Sequence, residues 1–268
     1  MSAQPTEASE LLDAMIDELE RIHEVLGRRL FDDRRFAIQE AVLQIAAMAS
    51  RNLRAASHLI EVGWVPECGA LVRQSYELAR DAAFLLSQAG EARKTFAGRF
   101  IASRLLRLPG LDLNELSEDA RRKVEQAEAA FGHPKARKPG EHWSGLDKRI
   151  VDETADAYFQ QLLGPHDHKD LRNIVFDLGS RIAHADPGAW GLYPLDRDPR
   201  TGGRIFLQPG RKSPVGWQLT ACLAAHLVGI TVAQRLPLEE RERLGSLFAS
   251  LEGVLESHRD GSIFTEAT

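Results

Sequence analysis

The feature that most constrains the fold is a run of 22 residues without a charged side chain, from Ser213 to Gln234. Such a run belongs either inside a bilayer or inside a protein core, because both places exclude the water that charged groups need. It includes Gln218, Thr220 and His226, which lower its hydropathy, and the chain has no second run of this kind. The sequence therefore favours a core helix over 215–236, with a membrane-attached protein as an alternative.

Apolar residues recur at every third or fourth position through most of the remaining chain, which is the spacing of one face of a helix. Leu12, Met15, Leu19 and Ile22 show this spacing in the first segment, and glycine or proline interrupts it between segments. The pattern predicts helices over 8–30, 36–62, 67–88, 91–108, 145–163, 167–184, 215–236 and 238–258.

Two segments depart from the helical pattern. Residues 132–142 are polar and hold two prolines, which predicts a flexible loop. In 190–209, two short apolar stretches flank a turn-rich segment, which is typical of a β-hairpin. Because short connections favour antiparallel neighbours, we predict an all-α antiparallel bundle of about seven to eight helices. One domain would cover 1–268, with a small β-hairpin insert near 190–209 and a first helix, 8–30, at its periphery.

Composition excludes several classes of protein. A hydrophobic fraction of 43% is too high for a disordered chain, and a net charge of −5 excludes a generally basic nucleic-acid binder. The two cysteines are far apart and form neither a disulfide framework nor a zinc set, which suits a reducing cytoplasm. The N-terminus does not have the pattern of a signal peptide, and we expect a cytoplasmic protein.

One polar stripe lies on the helix predicted over 167–184. At 100° per residue, Asp177, Ser180, Arg181 and His184 fall on one arc beside an apolar arc. Ser180 can reach His184, and Arg181 could hold an anionic group near it. We therefore take His184, Ser180 and Arg181 as candidate catalytic residues and Asp177 as a candidate ligand-binding residue. A solvated face whose terminal histidine complements the helix C-terminus explains the same pattern.

A second polar stripe lies on the helix predicted over 67–88. Arg73, Glu77 and Arg80 align at i, i+4 and i+7. Arginine and glutamate among apolar neighbours form a structural ion pair or bind a carboxylate or phosphate, so all three are candidate ligand-binding residues. If both helices pack their apolar arcs into the core, Arg73, Glu77, Ser180 and His184 meet at a helix–helix seam.

The chain shows no motif for a cofactor, and the spacing of its histidines and acids predicts no metal site. Arg51 and His58 have the form of the arginine–histidine motif of HEPN-type helical nucleases. With 27 arginines and nine histidines, such a match arises by chance and carries no weight alone.

The segment 51–86, with Arg73-x-x-x-Glu77, resembles a bacterial family known as the domain of unknown function number 5677. Downstream, Trp143-Ser-Gly and Ser180-x-x-x-His184, followed by the predicted hairpin, are similar to the rest of that family's pattern. The resemblance covers 51–209 and implies an all-helical fold, but it brings no activity and no catalytic residue. The likeness to HEPN-type proteins extends only to the fold.

These observations lead to one main hypothesis and two alternatives. The main one is a helical module that binds a protein partner or a small anion in a polar cleft lined by Arg73, Glu77 and His184. The first alternative is a HEPN-like, metal-independent RNase or toxin of a phage-defence type, with His184 or His58 as general base and RNA as substrate. The second is the membrane-attached protein. Whether the chain is an enzyme stays open, and a homodimer is compatible with either of the first two hypotheses.

Overall fold

The structure is a computed structural model that describes residues 7–32, 37–64, 67–105, 142–163, 195–197, 204–206, 215–234 and 238–257, with 114, 116–118, 121–122, 125 and 129. Seven helices lie in these ranges: α1 Glu7–Asp32, α2 Ala37–Glu61, α3 Cys68–Ser87, α4 Gly90–Leu105, α5 Lys148–Leu163, α6 Val215–Ala233 and α7 Leu238–Ser257. Two strands, β1 Leu195–Arg197 and β2 Arg204–Phe206, complete the described elements.

The prediction of an all-α chain is confirmed, and each of the seven helices begins and ends within three residues of its predicted bounds. β1 and β2 pair antiparallel, with Leu195 opposite Phe206. The residues between the strands lie outside the described part of the chain, as does the helix predicted over 167–184. The hairpin insert and the exact antiparallel bundle therefore stay predictions.

Local sequence fixes the helix ends. α2 ends at Glu61 and is capped by Gly63, whose φ of 83° lies in the left-handed region that glycine adopts at little cost. The amide of Gly63 donates to the Ile60 carbonyl at 3.1 Å and that of Trp64 to the Leu59 carbonyl at 2.7 Å, which is a Schellman motif. α5 begins after Asp147, whose Oδ1 accepts a hydrogen bond from the Arg149 amide at 2.7 Å as an N-cap.

The contacts within the chain divide it into two compact units. The first comprises Met1–Val25, Ile45–Ala79 and Pro165–Thr268, and the second comprises Leu26–Gln44 and Arg80–Gly164. Each unit is discontinuous in sequence, and α1, α2 and α3 contribute residues to both. The prediction of one domain over 1–268 stays a prediction.

The first unit includes α1 as far as Val25. The expectation that the first helix is peripheral stays a prediction. Leu12, Ile16, Leu19 and Ile22 are at most 1% exposed, so the apolar face of α1 is covered between these residues. Polar contacts add to this packing. The buried Glu18 accepts hydrogen bonds from Arg21 and also pairs with Arg243 of α7 at 3.3 Å.

α6 is the charge-free helix, and it packs against α7 within the first unit. Its segment Gly216–Ala233 is long and apolar enough to cross a membrane, but 83% of that segment is buried inside the protein. Burial also raises the pKa of Cys222 to about 12 and raises that of Cys68 in α3 still further above its ordinary value. The packing of α6 fits the predicted core helix.

Aromatic side chains form the core of the second unit. Phe84 of α3, Phe100 of α4 and Phe159 of α5 are fully buried, and Trp143 stands edge-on to both Phe84 and Phe100. The ring centroids of Trp143 and Phe100 are 5.2 Å apart at an interplanar angle of 81°, a favourable T-shaped arrangement.

Candidate functional site

Arg73 and Glu77, two of the predicted ligand-binding residues, form an ion pair on α3. The Arg73 Nε and Nη2 atoms both donate to the same carboxylate oxygen, Oε1 of Glu77, at 3.2 and 3.0 Å. The Arg73 side chain is 17% exposed and that of Glu77 is 38% exposed. An incoming anion would have to compete with this carboxylate for the guanidinium.

Arg80, the third predicted ligand-binding residue on α3, lies in a different setting. It is almost fully buried, and its guanidinium nitrogen Nη2 lies 2.9 Å from Asp152 Oδ1 and 3.5 Å from Asp156 Oδ1. Both aspartates belong to α5 and stand one helical turn apart. The spacing of Asp152 and Asp156 in the sequence was the signal that could have identified these partners. The contact fastens α5 to α3 within the second unit.

The remaining predicted site residues, Asp177, Ser180, Arg181 and His184, lie outside the described part of the chain. The meeting of Ser180 and His184 with Arg73 and Glu77 therefore stays a prediction. The same holds for the catalytic roles considered for Ser180, Arg181 and His184.

A polar cluster that sequence reasoning missed lies around Asp81. Its Oδ1 accepts a hydrogen bond from Trp143 Nε1 at 2.8 Å and lies 3.0 Å from His142 Nε2. The other ring nitrogen of His142, Nδ1, lies 3.0 Å from Ser144 Oγ and 3.3 Å from the Ser144 amide. Since that amide can only donate, Nδ1 is the acceptor and Nε2–H donates to Asp81.

The series Asp81, His142 and Ser144 has the order of groups that activates a serine nucleophile, with the ring nitrogens of His142 interchanged. Its surroundings indicate a structural role. Ser144 has no exposed surface, and its Oγ also accepts a hydrogen bond from the Leu146 amide at 3.2 Å. The buried ring of Phe84 stands edge-on to both His142 and Trp143. Because Ser144 is fully buried and hydrogen-bonded on both sides, we assign the cluster to holding the turn that leads into α5.

Arg99 of α4 completes this turn. Its NH1 group donates to the Ser144 carbonyl at 2.6 Å, and its guanidinium lies 5.7 Å from the centre of the Phe96 ring. Gly145 follows with a φ of 78°, and a Cβ at this position would lie 3.4 Å from Arg99 NH1. His142, the last residue of the predicted loop 132–142, is thus held in place. The rest of that loop lies outside the described residues.

The Arg51–His58 motif lies on α2, with both side chains exposed. Between them, Arg54 pairs with three carboxylates of α1: Asp17, Glu20 at 3.2 Å and Asp13 at 3.5 Å. Hydrogen bonding to Glu20 and Asp17 holds the Arg54 pKa above its ordinary value, despite the opposing effect of burial. Three acids around one arginine make this surface locally negative, which disfavours binding of an RNA backbone.

The turn after α2 exposes large apolar side chains. In the described residues the exposed large hydrophobic side chains are Val62 at 47%, Trp64 at 49% and Ile150 at 46%, and two of the three lie in this turn. We call residues 62–64 the Val62–Trp64 turn. The Schellman hydrogen bonds at Gly63 fix its backbone, so Trp64 is presented on a preformed support. The sequence signal was Gly63-Trp64, which predicts only the end of a helix.

Within the described residues, no group of three or more His, Cys, Asp or Glu side chains is arranged to hold a metal ion. No protein-family model, curated protein or solved structure matches the chain. The resemblance to the domain of unknown function number 5677 stays a prediction.

Proposed function

We propose that this chain is a non-catalytic, cytoplasmic module that binds a protein partner through the Val62–Trp64 turn. The observation that carries the proposal is the half-exposed indole of Trp64, held beside exposed Val62 on a hydrogen-bonded turn. Tryptophan is enriched among the residues that dominate the binding energy of protein interfaces. A predicted antiparallel bundle with its hairpin insert would serve as the scaffold.

A rigid support matters because association costs entropy. Ordering a flexible side chain or loop at an interface costs about 0.5–1.5 kcal/mol for each side chain that is immobilised. The two backbone hydrogen bonds at Gly63 and Trp64 are already formed, and Gly63 adopts its left-handed conformation without the strain that a Cβ would add. Part of the entropy cost of ordering this apolar surface is therefore met when the chain folds, before a partner binds.

Partner binding is favoured over binding of a small anion at Arg73. Glu77 already accepts two hydrogen bonds from the Arg73 guanidinium, so a small anion would gain only the difference between its own contacts and those of Glu77. The RNase alternative receives no support from Arg51 and His58, because Asp13, Asp17 and Glu20 surround Arg54 between them. That alternative now depends on His184.

Site-specific photo-crosslinking tests the proposal. A photoreactive phenylalanine derivative is placed at position 64 and, as a control, at position 150, where Ile150 is an equally exposed apolar residue of the second unit. After irradiation in cells of the source organism, we expect one protein to be attached specifically at position 64. Identical adducts at both positions would contradict a dedicated surface.

The attached protein is then purified, and its affinity is measured by calorimetry. Truncation of an interface tryptophan costs about 2 kcal/mol or more, so Trp64→Ala is expected to raise Kd by roughly 30-fold. Ile150→Ala should leave Kd within about twofold of its original value. Thermal melting of both variants controls for folding. An unchanged Kd for Trp64→Ala would overturn the proposal.

A further inference from the structure

We infer that the partner surface that covers the Val62–Trp64 turn is apolar at its centre and basic at its edge, like an amphipathic helix rich in Lys or Arg. This inference rests on the proposed function and adds the chemistry of the partner. It is carried by the carboxylates that the structure places at the same end of the α1–α2 pair as Trp64.

The register of α1 against α2 locates these carboxylates. Asp13 Oδ1 accepts a hydrogen bond from Ser57 Oγ at 3.1 Å, and Glu20 Oε1 accepts one from Arg54 Nε at 3.3 Å. Rising numbers in α1 thus match falling numbers in α2, so the two helices run antiparallel. The beginning of α1 lies at the end of α2 that carries the turn.

Distances along the helices agree with this placement. From Asp13 back to Glu7 the axis advances about 9 Å, and from Ser57 forward to Glu61 about 6 Å, at 1.5 Å per residue. Glu7, Glu10 and Glu61 are exposed at this end, and we call these three residues the acidic rim. Glu7 and Glu10 lie in the first turn of α1, where they also stabilise the positive end of the helix.

The described segments that carry the acidic rim bring few positive charges with them. The segments 7–13, 57–64 and 67–69 contain no Lys or Arg, and Glu67 adds a further acid three residues after Trp64. In the part of the chain that the structure describes, Nδ1 of the exposed His58 lies 3.6 Å from Glu61 Oε2. A partner that brings Lys or Arg to the edge of the interface would satisfy these carboxylates and be attracted to them before contact.

The same charges disfavour two other occupants. A second copy would bring its own acidic rim against this one, and the whole chain already carries a net charge of −5. A membrane surface can take up an exposed tryptophan at the headgroup level, but anionic headgroups would repel the acidic rim. Complementarity of charge therefore selects a basic protein surface.

Two synthetic peptides of roughly 18 residues, or five helical turns, test the inference on the full chain. One is an amphipathic sequence of Leu and Lys, and the other has Glu in place of every Lys. We expect the Leu–Lys peptide to bind in calorimetry and the Leu–Glu peptide not to bind. Trp64→Ala, and separately the triple variant Glu7→Gln, Glu10→Gln and Glu61→Gln, should each weaken binding about tenfold or more.

Two matched control variants test whether the Leu–Lys peptide binds any exposed acidic or apolar surface of the chain. Ile150→Ala tests an apolar residue of equal exposure, and the triple variant Glu91→Gln, Glu118→Gln and Glu125→Gln removes three exposed carboxylates elsewhere. Both controls should bind the Leu–Lys peptide as the original chain does. Weakening by the control triple as large as that by the acidic-rim triple would overturn the inference.

Three further outcomes would identify a different occupant of the Val62–Trp64 turn or contradict the charge of the partner. Equal binding of the two peptides would contradict a basic partner. Sedimentation that shows self-association lost in Trp64→Ala would favour a second copy, and Trp64-dependent binding to phosphatidylglycerol vesicles would favour a membrane. If the crosslinked protein needs Trp64 but binds the acidic-rim triple variant unchanged, the proposed function stands and this inference fails.

Discussion

The imidazole of His226 lies in the mostly buried helix α6, and burial lowers its pKa from 6.5 to about 4. Burial has this effect because the charged form loses its hydration in the protein interior. In the unfolded chain the ring takes up a proton near pH 6.5, whereas the folded chain resists protonation down to about pH 4. The unfolded state therefore binds more protons between these values, and acid favours unfolding.

We expect the free energy of unfolding to fall by about 2 kcal/mol between pH 7 and pH 5 because of His226 alone. Urea denaturation across this range measures the loss. His226→Gln, which cannot be protonated, should remove most of this slope, and His58→Gln at an exposed position should leave it unchanged. A slope that persists in His226→Gln would assign the acid sensitivity to other groups.

Arg73 and Arg80 stand on the same helix but differ in what their removal exposes. Arg73→Ala breaks a partly exposed pair at i, i+4 spacing, which contributes about 0.3–0.5 kcal/mol. Arg80→Ala leaves Asp152 and Asp156 side by side and largely buried, so we expect a loss on the order of 3 kcal/mol. Thermal or urea unfolding compares the two. Equal losses would show that Arg80 is not the structural arginine we take it to be.

Among the elements, the turn 142–144 depends on a single side chain from outside it, that of Asp81, for two of its hydrogen bonds. Asp81→Ala removes the acceptor for both Trp143 Nε1 and His142 Nε2, and each buried donor without a partner costs about 1–3 kcal/mol. We expect a loss of about 3 kcal/mol in urea unfolding. Asp147→Ala, which removes only the N-cap of α5, should cost about 1 kcal/mol. A loss for Asp81→Ala no larger than that for Asp147→Ala would contradict the assigned role.

Helices could be predicted well because their signals are local. The apolar spacing of Leu12, Leu19 and Ile22 defines the face of α1, and Gly63 marks the end of α2. The Asp81 cluster could not be predicted, because it joins residues 61 positions apart through one carboxylate. The spacing of apolar residues along the sequence does not show which distant acidic side chain a tryptophan or a histidine will contact. The stripe of Arg73, Glu77 and Arg80 was correctly placed on one helix, but its spacing could not show that Arg80 is paired with α5.

At the scale of the whole molecule, segments that are far apart in the sequence belong to the same compact unit, and adjacent segments belong to different units. The first unit combines Met1–Val25 and Ile45–Ala79 with the last hundred or so residues, and the second unit combines Leu26–Gln44 with Arg80–Gly164. The second unit has a large aromatic core of its own, with Phe84, Phe100, Phe159 and Trp143 contributed by α3, by α4, by α5 and by the turn before α5. All of these residues have been synthesised before α6 exists.

The hydrogen bond from Cys222 Sγ to the Ala8 carbonyl joins α6 to the start of α1 across 214 positions. A ribosome that adds 5–20 residues per second needs about 10–40 s to make the intervening chain. During this time α1 has α2 as a neighbour but lacks α6, so the surface around Ala8 that α6 later covers is open to chaperones, proteases and other nascent chains. Slower translation between the two ends would therefore lengthen the time before the start of α1 is covered by α6.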